Sequence, residues 1–146
     1  LAILGDYKLA ARSSSFTVAY TAAGLSPDGG SSYLLPRLVG ETRAKELMLT
    51  NRRLSAAEAL DWGLINEVVD DEELQEKAVT LALRLASGPT CAYGTVKQLL
   101  NASAQSSLAA QLDREALGIA ANGMRSDGQE GITAFLSKRK PRFEGR

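Results

Sequence analysis

The sequence contains no histidine and only one cysteine, Cys91. This scarcity excludes a disulfide within the chain, a zinc site with the usual histidine and cysteine ligands, and a nucleophile activated by histidine. No metal site is expected. Any catalysis by these residues must use carboxylate, hydroxyl, amine or main-chain groups.

The chain also lacks net charge and long apolar runs. Its 17 basic and 17 acidic side chains balance, so no overall field attracts nucleic acid or an anionic membrane. None of the apolar runs approaches the roughly 20 residues that span a bilayer. The residues after Leu1 show no signal-peptide pattern, and the start has the character of an interior position of a longer protein. We therefore expect a cytoplasmic chain of one-domain size that binds neither nucleic acid nor membrane.

Short runs rich in strand-forming residues come first, and helical patterns follow. Strands are predicted over residues 6–11 and 15–20, joined by a tight connection, and an extended piece over 64–69. Apolar spacing predicts helices over residues 33–39, 41–50, 55–61, 74–85, 90–101, 108–123 and 126–136. Two early strands cannot cover so many helices in a standard layered fold, so part of the fold is expected upstream. The alternative is an all-helical domain with a β-hairpin appendage.

Several helix starts carry a capping signature, in which a residue with a short polar side chain precedes Glu or Gln by three positions. The pairs are Ser55 with Glu58, Asp70 with Glu73, and Ser126 with Gln129. Thr90 is expected to cap the helix that follows Gly88-Pro89.

One carboxylate stands out as a candidate for chemistry. The loop Gly-Leu-Ser-Pro-Asp-Gly-Gly-Ser-Ser at residues 24–32 places Asp28 between a β-like run and the start of a helix. A carboxylate at such a place can transfer a proton or act as a nucleophile. The alternative is that Asp28 only caps the helix or makes an Asx-turn before Gly29 and Gly30.

Five stretches, nearly end to end and in order, carry a family resemblance. They are Asp-Tyr-Lys-Leu-Ala-Ala at 6–11, Gly-Leu-Ser-Pro-Asp-Gly-Gly at 24–30, Leu-Pro-Arg-Leu-Val-Gly at 35–40, Ala-Leu-Asp-Trp-Gly-Leu-Ile-Asn-Glu-Val-Val at 59–69, and Gln-Glu-Gly-Ile-Thr-Ala-Phe-Leu-Ser-Lys-Arg-Lys-Pro at 129–141. On these residues the chain resembles the C-terminal half of the crotonase (enoyl-CoA hydratase/isomerase) superfamily. The resemblance implies an α/β fold, the ββα spiral of crotonases. Residues 1–40 would hold the end of the spiral core with the active-site loop, and residues 41–146 the helical C-terminal part of the same domain.

The resemblance also implies a substrate class. In that family two main-chain N–H groups form an oxyanion hole that stabilises an enolate of a CoA thioester. Both donors fall before Leu1, so the isolated chain is expected to be inactive. The expected partners are an acyl-CoA thioester and further copies of the chain in a homo-trimer or hexamer. No separate cofactor is expected, because CoA is part of the substrate.

Two positions bear on the reaction. Tyr20 stands where hydratases of the family carry a second glutamate, and a phenol with an ordinary pKa near 10 is a poor partner for activating water. Asp28 stands where dienoyl-CoA isomerases, epoxyphenylacetyl-CoA isomerases and 4-chlorobenzoyl-CoA dehalogenases carry a functional aspartate, and the chain looks most like the epoxyphenylacetyl-CoA isomerase group. The favoured interpretation is an isomerase with Asp28 as acid/base. The alternatives are a hydratase, a dehalogenase with Asp28 as nucleophile, and a non-catalytic assembly module.

The remaining site predictions concern substrate contacts. From the resemblance, the residues expected to bind substrate are Tyr20, Leu25, Pro27, Phe135 and Lys138. For Phe135 and Lys138 the expected contact is with the CoA moiety, although Lys138 also fits a solvated basic tail. Trp62 is expected to anchor the core at a helix end.

Overall fold

The computed structural model describes residues 2–146, which divide into two compact units. The first unit extends to Ala78 and the second runs from Val79 to Arg146. Among the described residues, no helix is both long enough and apolar enough to cross a bilayer.

The first unit alternates short strands and helices. Its elements are β1 (Leu9–Ala11), β2 (Ser15–Phe16), α1 (Ser31–Val39), α2 (Glu41–Thr50), β3 (Leu54–Ser55), α3 (Ala56–Asp61) and β4 (Glu67–Val69), with 3-10 turns at Ala2–Leu4, Thr21–Ala23 and Asp71–Glu73. Helix α4 (Leu74–Ala86) begins in this unit. The second unit continues with α5 (Thr90–Ser103), α6 (Leu108–Gly123) and α7 (Ser126–Leu136). The predicted helices are thus confirmed, with ends that shift by two residues or fewer.

The strand pairing differs from the expected hairpin. β1 pairs in parallel with β4, and β2 pairs antiparallel with β3, so the two early strands lie in different sheets. The predicted extended piece over 64–69 supplies β4. The β-hairpin alternative is therefore wrong, and both early strands are shorter than predicted.

The connection between β1 and β2 explains this arrangement. The Arg12 main-chain N–H donates to the carbonyl of Val69 at 2.8 Å, and its guanidinium donates to Asp70 at 2.8 Å. Ser13 bonds to Asp71 through both its main-chain N–H and its hydroxyl. The connection is therefore fixed to the segment after β4, and β2 leaves in another direction. The predicted capping role of Asp70 is wrong, because its carboxylate binds Arg12 and provides no side-chain cap.

The core of the first unit joins α1, α2 and β3. Leu35, Leu47 and Leu54 are its largest fully buried side chains. Small residues allow close packing around them, since Ala44 and Ala56 are also buried. Burial of apolar surface on this scale is the main stabilising contribution to a unit with such short strands.

The capping box predicted at Ser55 is confirmed. Ser55 Oγ accepts the N–H of Glu58 at 3.3 Å, and the Glu58 carboxylate accepts the N–H of Ser55 at 2.9 Å. Arg52 adds an ion pair to Glu58 at 3.0 Å and one to Glu46 at 2.5 Å. The bonds from Ser55 and then Arg52 lower the pKa of Glu58 from 4.5 to about 2.

Trp62 anchors the end of α3, as expected. The ring is half-buried and packs against the core cluster. The guanidinium groups of Arg43 and Arg52 each lie 4.8 Å from the ring centroid, which is the geometry of a cation–π contact. Nothing in this arrangement requires a catalytic role for Trp62.

In the second unit, the polar groups at the start of α7 bind the C-terminal tail. The predicted capping box of Ser126 and Gln129 is wrong: Ser126 Oγ donates to the carbonyl of Arg146 at 2.6 Å, and Gln129 Nε2 donates to the carbonyl of Gly123. Buried Asp127 accepts the main-chain N–H groups of the tail residues Glu144 and Gly145, at 2.7 and 2.9 Å.

A second capping prediction in this unit also fails. The residue that caps α5 is Pro89, and Thr90 is the first residue of the helix. The helix therefore begins at the predicted residue, but no side chain caps it, because proline has no polar side-chain group.

The pKa of Glu58 leads to a prediction about acid stability. Because the folded-state pKa lies below the ordinary value, the stability that Glu58 contributes is present above about pH 4.5 and is lost as the pH falls through about 2. Glu58→Gln removes the charge but keeps an acceptor for the capping box. Thermal unfolding followed by circular dichroism measures the midpoint temperature of each protein. The difference in midpoint between wild type and variant should be constant above about pH 5 and should shrink in acid.

The matched control is Glu72→Gln, at an exposed carboxylate in the turn Asp71–Glu73. This control should leave the pH profile of the midpoint unchanged. Parallel profiles for wild type and Glu58→Gln over the whole acid range would contradict the assignment.

Candidate active site

A tight turn at Tyr20 begins the site. The carbonyl of Tyr20 accepts the main-chain N–H groups of Ala23 and Leu25, both at 3.0 Å. Gly24 has a left-handed conformation, with φ 71°, that glycine adopts without steric cost. The turn reverses the chain ahead of the loop that carries Asp28.

Tyr20 and Asp28 form the central contact of the site. The phenol of Tyr20 donates a hydrogen bond to Asp28 Oδ1 at 2.6 Å. This bond to a carboxylate raises the pKa of Tyr20 above 10.0, and desolvation and the charge of Asp28 act in the same direction. The phenol therefore stays protonated at neutral pH and remains a donor to Asp28.

The carboxylate of Asp28 does not cap α1. The N-cap is Gly30, left-handed with φ 78°, and it makes no side-chain cap. The main-chain carbonyl of Asp28, and not its side chain, accepts the N–H of Ser31 at 3.0 Å and the Ser31 hydroxyl at 2.7 Å. The helix-capping alternative is therefore wrong. The exposed carboxylate of Asp28 is available for chemistry.

An apolar cavity adjoins Tyr20, and Asp28 is not among the residues that line it. Its volume is about 360 Å³, and its wall includes four residues with hydroxyl groups, Ser15, Thr17, Tyr20 and Ser31. The apolar side chains that line it are Ala2, Ile3, Phe16, Val18, Leu35, Leu47 and Leu64. Ligand pockets typically enclose roughly 300–1,000 Å³ with mostly apolar walls and a few polar groups. The cavity therefore has the size and polarity of a site for a small, mostly apolar group.

The other predicted substrate contacts lie in two places. Leu25 and Pro27 belong to the same loop as Asp28, with Leu25 62% exposed and Pro27 half-buried. Phe135 and Lys138 lie at the C-terminal end of α7 in the second unit, where Phe135 is 83% exposed and Lys138 has a left-handed φ of 53°. Contacts of these four residues with substrate stay predictions.

Sequence reasoning missed the polar contacts behind Tyr20. The hydroxyl of Thr21 donates to the Met48 carbonyl at 2.7 Å and to Asn51 Oδ1 at 2.9 Å. One signal was available, since Asn51 directly follows a helical pattern and asparagine is a common left-handed residue at a helix end. Its partner Thr21 carries no such local signal.

A metal centre has no support in the described part of the chain. Between residues 2 and 146, no three His, Cys, Asp or Glu side chains come together in a group that could hold a metal ion. The polar groups that the structure brings together at this site are the Asp28 carboxylate and the Tyr20 phenol.

Comparison with known proteins gives consistent matches. The whole chain, residues 1–146, matches the model of the enoyl-CoA hydratase/isomerase family. It is 44% identical over 146 residues to 1,2-epoxyphenylacetyl-CoA isomerase of Escherichia coli K12, covering 100% of this chain and 56% of that protein. It is 40% identical over 146 residues to a probable enoyl-CoA hydratase of Rhodobacter capsulatus, covering 100% of this chain and 57% of that protein.

A solved structure agrees with these relatives. The crystal structure of a putative enoyl-CoA hydratase/isomerase from Mycobacterium abscessus superposes with a TM-score of 0.96 at 39% identity, over 99% of this chain and 56% of that one. The chain thus spans little more than half the length of the curated relatives it matches. A 4-chlorobenzoyl coenzyme A dehalogenase of an Arthrobacter species also matches, at 34% identity over 123 residues, 84% of this chain and 45% of that protein. Relatives named for three different reactions therefore match this chain.

The contact between Tyr20 and Asp28 leads to a titration prediction. Asp28→Asn removes the negative acceptor, so the pKa of Tyr20 should fall toward 10.0. Absorbance of the tyrosinate form, followed through alkaline pH, measures this shift, and Tyr20→Phe identifies the signal among the four tyrosines. Asp61→Asn, at an exposed carboxylate on α3, is the control and should leave the titration unchanged. A titration of Tyr20 that is the same in wild type and Asp28→Asn would show that the contact is not formed in solution.

Proposed function

Since the chain belongs to the enoyl-CoA hydratase/isomerase (crotonase) family, we propose that it is the acid/base-bearing part of an acyl-CoA isomerase. The expected α/β crotonase-like fold is confirmed by the structural match. The proposal rests on one observation above all: Asp28 is exposed, does not cap α1, and is held by the neutral phenol of Tyr20 at 2.6 Å.

In the proposed reaction, Asp28 transfers a proton along the acyl chain of a CoA thioester. The carboxylate takes a proton from one carbon as the C–H bond breaks, and an enolate forms on the thioester. Asp28 then returns the same proton to another carbon, so the double bond moves and no atom is gained or lost. The phenol of Tyr20 keeps Oδ1 in place throughout. The oxyanion donors that the family resemblance implies would come from outside these residues.

Simple hydration fits the site less well. Hydration needs a group that activates water in addition to the acid that protonates the acyl chain. Where hydratases of the family carry that glutamate, this chain has Tyr20, and the bond to Asp28 raises its pKa further above 10.0. At neutral pH such a phenol is almost entirely protonated, so very little phenolate is present to act as a base.

A dehalogenase reaction is the second candidate, and the Arthrobacter relative favours it. There the Asp28 carboxylate would attack an aromatic carbon, form an aryl ester and displace chloride. Water would then hydrolyse the ester and leave its oxygen in the aspartate. The hydrogen bond from Tyr20 does not decide between the two roles, since it lowers the basicity and the nucleophilicity of Oδ1 together.

The proposed partners follow from the same family. We propose an acyl-CoA thioester as the substrate and no separate cofactor, and a contact of Phe135 and Lys138 with the CoA moiety remains a prediction from the family resemblance. A homo-trimer or hexamer and a cytoplasmic location belong to the same proposal. Exposed apolar side chains on α6 support assembly, because Leu108, Leu112 and Ile119 share one face of the helix and are 75%, 54% and 77% exposed, and large apolar patches on monomers are uncommon.

Asp28→Asn tests the catalytic role directly. In the complete protein, turnover should fall by about 100-fold or more, because a general acid/base typically contributes about 10²- to 10⁴-fold. Binding of the thioester, measured by calorimetry, should change little, since asparagine keeps the shape of the side chain. Asp61→Asn is the matched control and should keep wild-type turnover. Wild-type turnover in Asp28→Asn would remove Asp28 from the mechanism.

Three assays on one preparation of the complete protein distinguish the reactions. We expect movement of a double bond, or rearrangement of an unsaturated or epoxide-bearing ring acyl-CoA, with slow hydration of crotonyl-CoA. Release of chloride from 4-chlorobenzoyl-CoA, with labelled water oxygen in Asp28 after one turnover, would establish the dehalogenase. Fast hydration would contradict the argument from Tyr20. Activity in none of the three would favour a non-catalytic assembly module.

A further inference from the structure

The end of α2 binds the segment that carries Tyr20. The hydroxyl of Thr21 shares its proton between the Met48 carbonyl at 2.7 Å and Asn51 Oδ1 at 2.9 Å, and these contacts are part-buried. The hydroxyl of Thr17 donates to the Asn51 main-chain carbonyl at 3.3 Å. The segment is thus bound on both sides of Tyr20, at positions four residues apart.

Asn51 can reach Thr21 because of its own main-chain conformation. It caps α2 in the left-handed region, with φ 55°, and its N–H donates to the carbonyl of Leu47 at 3.1 Å. Asparagine tolerates this conformation better than most residues with a side chain. Glycine would suit the main chain equally well but has no carboxamide, so the hydrogen bond to Thr21 is specific to the side chain present here.

The residue after Asn51 fixes the helix end in turn. Arg52 pairs with Glu46 of α2 and with Glu58 of α3, at 2.5 and 3.0 Å. Its guanidinium also lies over the ring of Trp62. Asn51 therefore lies between a helix whose Ala44 and Leu47 are buried in the core and a residue with three partners, and it offers Thr21 a fixed acceptor.

We infer that Thr21 and Asn51 are positioning residues for the Tyr20–Asp28 pair, a role that rests on the proposed function of Asp28. Thr21 begins the 3-10 turn for which Tyr20 is the N-cap, so anchoring Thr21 fixes the main chain from which the phenol reaches Asp28. Neither residue touches the proposed reacting atoms. Each acts through Tyr20, which in turn holds the carboxylate.

The test compares Thr21→Val with Thr21→Ser in the complete protein. Valine has nearly the shape of threonine but no hydroxyl, whereas serine keeps the hydroxyl. In Thr21→Val, the pKa of Tyr20 should fall toward 10.0 and kcat should fall roughly 10- to 100-fold with little change in KM, because a small displacement of a catalytic group has an effect of that size. Thr21→Ser should keep both properties.

Asn51→Gly provides an independent variant. Glycine adopts φ 55° without strain, so α2 should still end at this position while the acceptor for Thr21 is lost. Its Tyr20 pKa and kcat should shift in the same direction as in Thr21→Val. If Thr21→Val does not fold, the result for Asn51→Gly decides alone.

Thr50→Val is the matched control. Thr50 lies on the same helix end, where its hydroxyl donates to the carbonyl of Glu46 and accepts the main-chain N–H of Arg52 at 3.3 Å, but neither bond reaches the segment that carries Tyr20. If the Tyr20 pKa and kcat fall as much in Thr50→Val as in Thr21→Val, the effect is a general one on stability and the inference is overturned. Wild-type Tyr20 titration and kcat in Thr21→Val or Asn51→Gly would also overturn it.

The titration separates this inference from the proposed function. If Asp28→Asn keeps wild-type turnover, the proposed function fails. The Tyr20 pKa in Thr21→Val and Asn51→Gly then still decides whether these residues position the phenol. A fall in kcat without any change in the Tyr20 titration would contradict positioning through Tyr20.

Discussion

The candidate site depends on the packing of α1 against α2. Leu35 of α1 and Leu47 of α2 are fully buried in one core. Asp28 lies just before α1 and is joined to its first turn through its carbonyl, while Asn51 ends α2 and holds the residue next to Tyr20. Each member of the hydrogen-bonded pair is therefore fixed to one of two helices that pack on each other. Close packing transmits small displacements, so a change in how these two helices pack would move Tyr20 relative to Asp28.

Two carboxylates of the first unit show how partners decide a role. Glu58 receives bonds from Ser55 and an ion pair from Arg52, which lower its pKa to about 2 and commit it to holding α3 in place. Asp28 receives a bond from a neutral phenol, and no cation is paired with it among the salt bridges of the described residues. A carboxylate without a cationic partner keeps its charge available for a proton in transit. The proposal therefore assigns the proton transfer to Asp28, although both side chains lie near the surface.

Local patterns in the sequence were sufficient to predict those features whose interacting residues lie close together in the chain. The helices and the Ser55 capping box were predicted because their signals span a few residues. The same spacing failed at Ser126, where tail residues about twenty positions away bind the first turn of α7. The pairing of the strands could not be predicted for the same reason, since β1 pairs with a strand 58 residues further on. The proximity of Tyr20 to Asp28 followed from family resemblance, and the part played by Thr21 had no local signal at all.

Family membership fixes the fold, whereas the substrate class and the reaction stay proposals. Relatives named as isomerase, hydratase and dehalogenase match the same residues, so the difference between reactions must lie in a few side chains near the thioester. At Tyr20 this chain has a phenol that donates to a carboxylate, and that bond raises the pKa of the phenol. One titrating group beside an enolate suffices to move a double bond, whereas hydration requires a further group to activate water. The proposal of an isomerase therefore depends on whether Asp28 moves the proton without a second titrating group, which the names of the relatives do not decide.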